Sequence, residues 1–188
     1  GSIKRIEEQT DGKQMSISSY RYSGDRTVLS YEEMNGYCNR AIKLNPNCKL
    51  TLILMQVNDM EDYMKNEGSG FVQDLLQSVQ DTVRRHVGHR GIVCPLQPNL
   101  MSVVVQDINS DIKLRAFIES LRSRIAWNYR LIDPKYEISF SFGVACYPEN
   151  GMDMRIVHRK LVKALQMAQE KHANCYVIYK EHLHGELS

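Results

Sequence analysis

Residues able to do chemistry gather in three places. The first is Asn58, Asp59, Glu61 and Asp62, just after a strongly apolar octet. Grouped carboxylates can hold a divalent cation, which prefers charged oxygen ligands. Asn and Asp are also common helix-starting residues, and a solvated loop or helix start is the favoured reading here. The second is the one dense basic cluster, Arg84, Arg85, His86, His89 and Arg90. It could contact an anion or a nucleotide. The plainer reading is a helix C-terminus, where the backbone dipole favours each cation by about 0.3–1 kcal/mol. His86 and His89 are three residues apart, a spacing that could hold a metal, but no carboxylate or third ligand lies nearby in sequence. The third is Ser139 and Ser141, for which the sequence locates no paired His and Asp, so no hydrolase triad is argued.

These residues need elements to position them. A helix is expected over Tyr31–Leu44, stopped by Asn45-Pro46-Asn47. Leu50–Val57 is nearly all apolar and reads as a strand buried on both faces. A helix at about Phe71–Val87 carries Phe71, Val72, Leu75, Leu76, Val79 and Val83 on one face. Ile92–Leu96 and Leu100–Val105 flank Gln97-Pro98-Asn99 and suggest a hairpin. A helix over about Asp111–Trp127 should turn Ile112, Phe117, Ile118, Leu121 and Ile125 inward. Glu137–Tyr147 is a strand ending at Pro148-Glu-Asn-Gly151. Asp153–His172 is a helix carrying Ile156, Val157, Leu161, Leu165 and Ala168, and Cys175–Tyr179 is a closing strand. Upstream, Ser16–Tyr22 is a candidate short strand and Ile3–Gln9 the candidate tail of a linker helix. The pattern predicts an α/β (α+β) domain with a central mixed sheet of about five strands flanked by helices.

Composition narrows the function. Of 188 residues, 43% are hydrophobic and 24% charged, which suits one globular domain and argues against disorder. The net charge of +2 is too small for a broad nucleic-acid footprint. No apolar run approaches the roughly 20 residues of a membrane span. Cys38, Cys48, Cys94, Cys146 and Cys175 form no CxxC pair. They read as reduced thiols of a cytoplasmic domain, with Cys94 and Cys146 as small core residues. Gly1-Ser2 reads as a cloning scar on a fragment of a longer protein. The expected organisation is scar, linker and N-terminal extension over 1–30, one folded domain over 31–180, and a C-terminal tail over 181–188.

Two segments carry a family resemblance. Ser139-Phe-Ser-Phe-Gly-Val-Ala-Cys-Tyr-Pro-Glu-Asn-Gly151 resembles the S-[IV]-G-[VI]-A strand and Pro-containing turn of GGDEF domains, the catalytic domains of diguanylate cyclases. Leu161-Val-Lys-Ala-Leu-Gln-Met-Ala-Gln-Glu-Lys-His-Ala-Asn174 resembles the following helix, A-D-x-A-L-Y-x-A-K-x-x-G-x-N. The apolar strand at 50–57 and the hairpin at 92–105 fall where that family has its first strand and its signature hairpin. The resemblance runs over roughly Tyr31 to Tyr179 and implies the GGDEF-like fold.

The resemblance also implies what has changed. The family's D-x-D, whose first carboxylate binds Mg²⁺, falls on Gln56-Val57-Asn58. Its guanine-reading Asn and Asp fall on Met64 and Gln73. Where the family reads R-x-G-G-D-E-F, this chain reads Pro95-Leu96-Gln97-Pro98-Asn99-Leu100-Met101. The two glycines let backbone approach the triphosphate closely, and Gln97 and Pro98 replace them. Leu100 replaces a metal-binding carboxylate, and Gln169 the phosphate-contacting lysine. The inhibitory R-x-x-D falls on Gly88-His89-Arg90-Gly91, with neither end residue present. Met60, Met64 and Met101 are placed around the family's nucleotide pocket.

The leading expectation is therefore a degenerate GGDEF domain without catalysis or cofactor. It would act through a protein partner, or other domains of its own chain, in a bacterial regulator that is cytoplasmic or the cytoplasmic part of a membrane-anchored protein. The alternatives are a non-turnover receptor for cyclic di-GMP or a guanine nucleotide, with Arg84, Arg85, His89 and Arg90 as candidate contacts, and an active cyclase.

Overall fold

Leu50–Val57 forms the strand β1 over the octet the sequence predicts, and only Gln56 in it is not fully buried. The computed structural model describes residues 31–108, 110–132, 138–171 and 175–185. The candidate elements at 3–9 and 16–22 lie outside them. In chain order the elements are α1 (Tyr31–Leu44), β1, α2 (Met60–Glu67), α3 (Ser69–Val87), a 3-10 turn (Gly88–Arg90), β2 (Gly91–Gln97) and β3 (Leu100–Gln106). Then come α4 (Asp111–Ile132), β4 (Phe140–Tyr147), α5 (Met154–Lys171), β5 (Cys175–Ile178) and the short α6 (Glu181–His184).

The five strands make one mixed sheet in the order β2-β3-β1-β4-β5. The β1 strand is central and runs antiparallel to both β3 and β4, while β5 is parallel to β4. Strand side chains alternate between faces, and β1 shows why its sequence looked uniformly apolar. Ile53, Met55 and Val57 belong to one core with α3 and α4 residues such as Leu75, Val79, Ile118 and Leu121. Leu50, Leu52 and Leu54 belong to the other, with Met34 and Cys38 of α1 and Leu161 and Leu165 of α5. Both faces are covered, so both sets of side chains leave water.

The hairpin is present, with Pro98 and Asn99 as its two turn residues and Gln97 paired to Leu100. The register breaks between Pro95 and Gln97. A proline without a donor is tolerated there because β2 is an edge strand. Gly143 explains the glycine of the Ser-Phe-Gly-Val-Ala segment. A Cβ there would lie 2.3 Å from the Leu165 nitrogen and 2.7 Å from the Leu161 oxygen. Only a glycine lets the backbone of α5 lie this close to β4.

Four expectations need correction. A separate helix, α2, occupies 60–67, and α3 begins at Ser69. On α4, which runs on to Ile132, Ile112 is 80% exposed. Two residues later the helix has turned about 200°, and Leu114 takes the inward place at 2% exposed. Ile156 on α5 is also exposed, at 40%, because Val157, Leu161 and Leu165 define the buried stripe. The fourth strand begins at Phe140 and the last ends at Ile178; residues 133–137 lie outside the described set. No helix among the described residues is long and apolar enough to cross a membrane.

Candidate functional site

The end of β1 next to the hairpin collects most of the residues singled out in the sequence. In the antiparallel register Gln56 faces Leu100 on β3 and Ser141 on β4. Its side chain projects to the α5 face, as Leu54 does two residues earlier. On α5 the stripe of Leu161 and Leu165 continues one turn further to Gln169. There Gln169 Nε2 donates a hydrogen bond to Gln56 Oε1. Leu100, with no exposed surface, completes this corner. Three positions far apart in sequence thus converge on one face, as two amides and a leucine. The contact spans 113 residues, so no local signal reveals it; the shared helical stripe of Leu161, Leu165 and Gln169 is the only hint the sequence carries.

Asn58 fastens the same end of the strand. Its Nδ2 donates to Ser139 Oγ at 2.9 Å and to Ser141 Oγ at 3.0 Å, and its backbone nitrogen donates to the Ser139 carbonyl at 2.9 Å. The two serines that suggested no triad thus serve as acceptors for an amide. Asn99 at the hairpin tip completes the frame. Its Nδ2 donates to the Val57 carbonyl at 3.1 Å, and its carbonyl accepts from the Val57 nitrogen at 2.9 Å. Pro98 is exposed and Gln97 buried.

The methionines do not gather round this corner. Met101 is 1% exposed and sits on the opposite sheet face, in the core with α3 and α4. Met60 packs at the edge of that core, while Met64 is 49% exposed on α2 and Gln73 is exposed on α3. Asp59, Glu61 and Asp62 are all exposed at the start of α2, and the Asp59 side chain makes no capping hydrogen bond. Asp59 itself takes a left-handed conformation, with φ 64°. Burial, then the charges of Asp59 and Asp62, push the Tyr63 hydroxyl above its usual pKa.

The basic cluster divides. Arg84 pairs with Asp81 at 3.2 Å. Arg90 Nη2 donates to the His86 carbonyl, and its guanidinium lies 4.9 Å from the centre of the Phe117 ring. His86 is buried against Phe117, ring to ring at 4.7 Å, with Nε2 3.3 Å from the Phe117 carbonyl. Burial first, then Arg124 and Arg90, lower its pKa, so it is neutral at neutral pH. Arg85 and His89 are exposed. Arg84, Arg85 and His86 do close the last turn of α3, as the dipole reading expects.

Chemically, the corner of Gln56, Leu100 and Gln169 offers neutral hydrogen-bonding groups and no formal charge. Among the described residues no three His, Cys, Asp or Glu side chains are grouped so as to hold a metal ion. All five cysteines are unbridged, and burial raises the Cys38 thiol to about 12. Asn150, which no local sequence signal marks, is 1% exposed. Its Oδ1 accepts from the Cys146 nitrogen at 2.7 Å, closing the turn after β4.

A five-stranded sheet in this order, with helices on both faces and a two-residue hairpin beside the end of the central strand, defines an α/β domain. The family model described as "Diguanylate cyclase, GGDEF domain" matches residues 31–175, and the chain belongs to this family. Solved structures agree in fold. The active GGEEF domain of a diguanylate cyclase from Vibrio cholerae superposes with a TM-score of 0.68 at 15% identity, over 80% of this chain and 94% of that one. The GGDEF domain of TpbB (YfiN) from Pseudomonas aeruginosa gives 0.68 at 15% identity, over 89% and 95%. The GGDEF domain of DgcB from Caulobacter crescentus, solved in complex with c-di-GMP, gives 0.68 at 13% identity, over 84% and 98%. No curated protein matches the chain in sequence.

Proposed function

We propose that this GGDEF domain is degenerate and non-catalytic, and that it signals by contact with a protein partner or with other domains of its own chain. The observation that carries this reading is the bond between Gln56 and Gln169 beside buried Leu100. By the family resemblance these are the positions of two metal-binding carboxylates and a phosphate-binding lysine. Phosphoryl transfer is driven by metal ions and cations that neutralise developing charge. Two amides joined by one hydrogen bond, and a leucine, supply none of that charge. The sheet and both cores are nevertheless complete, which suits a domain kept for its surface. Its setting in this reading is a cytoplasmic bacterial regulator, with residues 31–180 as the working unit. The test is made in the full-length protein. Deleting residues 31–180 should change its regulatory output, and tagged protein should capture a partner or a second domain. No captured partner, together with unchanged output, refutes the reading.

A second reading is a receptor for cyclic di-GMP or a guanine nucleotide without turnover. It is supported by the c-di-GMP complex of the DgcB domain and by the exposure of Arg85 and His89. Because Arg84 and Arg90 already have partners, it ranks second. Calorimetry with GTP and with cyclic di-GMP at about 1 mM ligand decides it, a flat titration rejecting any site tighter than that.

A further inference from the structure

The two ends of α3 carry opposite charge. At its start lies α2, where Asp59, Glu61, Asp62 and Glu67 outweigh the cation Lys65, all of them exposed. Asp74, on the second turn of α3, adds a further exposed carboxylate. Met64 stands among these acids on α2, 49% exposed. The other end of α3 holds exposed Arg85 and His89. Nineteen residues of helix separate the two ends, about 27 Å at the helical rise. That is well beyond the screening length of about 8 Å at physiological salt, so the two ends do not neutralise each other within one copy.

The basic end continues onto α4. Asn128 Nδ2 donates to Thr82 Oγ1 at 2.9 Å and ties the two helices together. They run antiparallel, since Arg90, just past α3, meets Phe117, well before Asn128 on α4. Arg85 follows Thr82 by one turn and Arg124 precedes Asn128 by one turn, so both flank this link on the same side. Burial, then the charge of Arg124, lowers the His86 pKa, which agrees with a place for Arg124 beside the end of α3. Arg124 is exposed, and Trp127, one turn further along α4, is 64% exposed. Asp81, on this stretch of α3, is already paired with Arg84. The helix dipole accounts for Arg85 at the end of α3 and for carboxylates at the start of α2. It does not account for Arg124, which lies two turns before the end of α4, or for a tryptophan and a methionine left in water beside the charges.

The two surfaces complement each other. One is an acidic helix bearing a methionine; the other is a basic seam bearing a tryptophan. A thioether packs well against an aromatic ring, and complementary charges around such a contact fix its orientation more than they add affinity. We propose that the α2 end of one copy docks on the α3–α4 seam of a second copy, with Met64 on Trp127 and with Glu61 and Asp62 facing Arg85 and Arg124. Because the two patches are different surfaces, the contact is heterologous, and each copy keeps one face open for the next. The product is a head-to-tail chain or ring of domains. This contact goes beyond the function proposed above and does not depend on whether the Gln56–Gln169 corner is inactive.

The test is sedimentation equilibrium of the purified chain up to about 1 mM, which populates a millimolar association. Association should appear at about 10 mM salt and weaken at about 1 M, as the screening length falls from about 30 Å to about 3 Å. The emission of Trp127, the one tryptophan of the chain, should shift to the blue as the contact forms. Two variants each lose one face: Glu61→Gln/Asp62→Asn/Met64→Ser and Arg85→Gln/Arg124→Gln/Trp127→Ser. All these positions are exposed, so both variants should keep the circular dichroism of the parent. Each alone should associate about tenfold or more weakly than the parent, as expected when several exposed pairs and one apolar contact are lost together. Mixed in equal amounts, they should regain the parent affinity, stop at a dimer and restore the blue shift, because one intact acidic face meets one intact basic face. Four results overturn the proposal: a monomer at every concentration, association undiminished at about 1 M salt, either variant associating like the parent, or a mixture no tighter than its parts.

Discussion

Replacing Asn58 with alanine is the sharpest probe of how the end of β1 is held. Asn58→Ala removes two side-chain hydrogen bonds, of 2.9 and 3.0 Å, and keeps the backbone bond to Ser139. Two such bonds contribute about 1–3 kcal/mol net. The substitution also strands the Ser141 hydroxyl, whose residue is only 1% exposed, and a buried group left without a partner adds to the cost. With about 1 kcal/mol for that group the sum is about 2–4 kcal/mol, or about 4–16 °C in Tm for a domain of this size. The loss is measured by urea and thermal denaturation. A cycle with Ser141→Ala separates the hydrogen bond from general packing. Removing Ser141 should cost about 1 kcal/mol less in the Asn58→Ala background than in the parent, because the orphaned hydroxyl goes with it. A loss below about 0.5 kcal/mol, or strict additivity of the two changes, refutes the reasoning.

Three more predictions follow from the same geometry. Gly143→Ala places a Cβ 2.3 Å from the Leu165 nitrogen and should destabilise by about 1–3 kcal/mol as α5 is forced off β4; an unchanged melting curve contradicts that packing. Stability should fall as pH drops from about 6.5 to about 4, because buried His158 resists protonation in the folded state while the unfolded chain takes up the proton. His86 and His184 are shifted in the same direction and add to the fall. His158→Gln should flatten the part below pH 6.5, read by denaturation at several pH values, and an undiminished slope contradicts the assignment. Gln56→Ala and Gln169→Ala should each cost about 0.5 kcal/mol, as partly exposed hydrogen bonds do, and a double-mutant cycle should show them coupled rather than additive.

Much of the fold is legible in the sequence because the signals are local and strong. The octet at 50–57 is apolar on both faces because helices cover both, and Pro98-Asn99 between two apolar runs leaves little choice but a turn. The short α2 is hard to read because its eight residues bury only Tyr63, so its apolar periodicity is nearly absent. Ile112 falls outside the buried stripe because one isoleucine at the first turn of a helix does not fix the phase; the stripe through Leu114, Ile118, Leu121 and Ile125 does. At the candidate site the residue types were legible, but their mutual arrangement was not. Gln56 meeting Gln169, and Asn58 meeting Ser139 and Ser141, are tertiary contacts with no footprint in local sequence.

The reading of the Gln56, Leu100 and Gln169 corner as uncharged and non-catalytic is tested most directly by turnover. The purified chain is incubated with GTP and either Mg²⁺ or Mn²⁺, and products are separated and quantified. On this reading GTP stays intact and no cyclic di-GMP forms above a protein-free blank. Cyclic di-GMP accumulating in proportion to protein, and lost in Gln56→Ala, would contradict it.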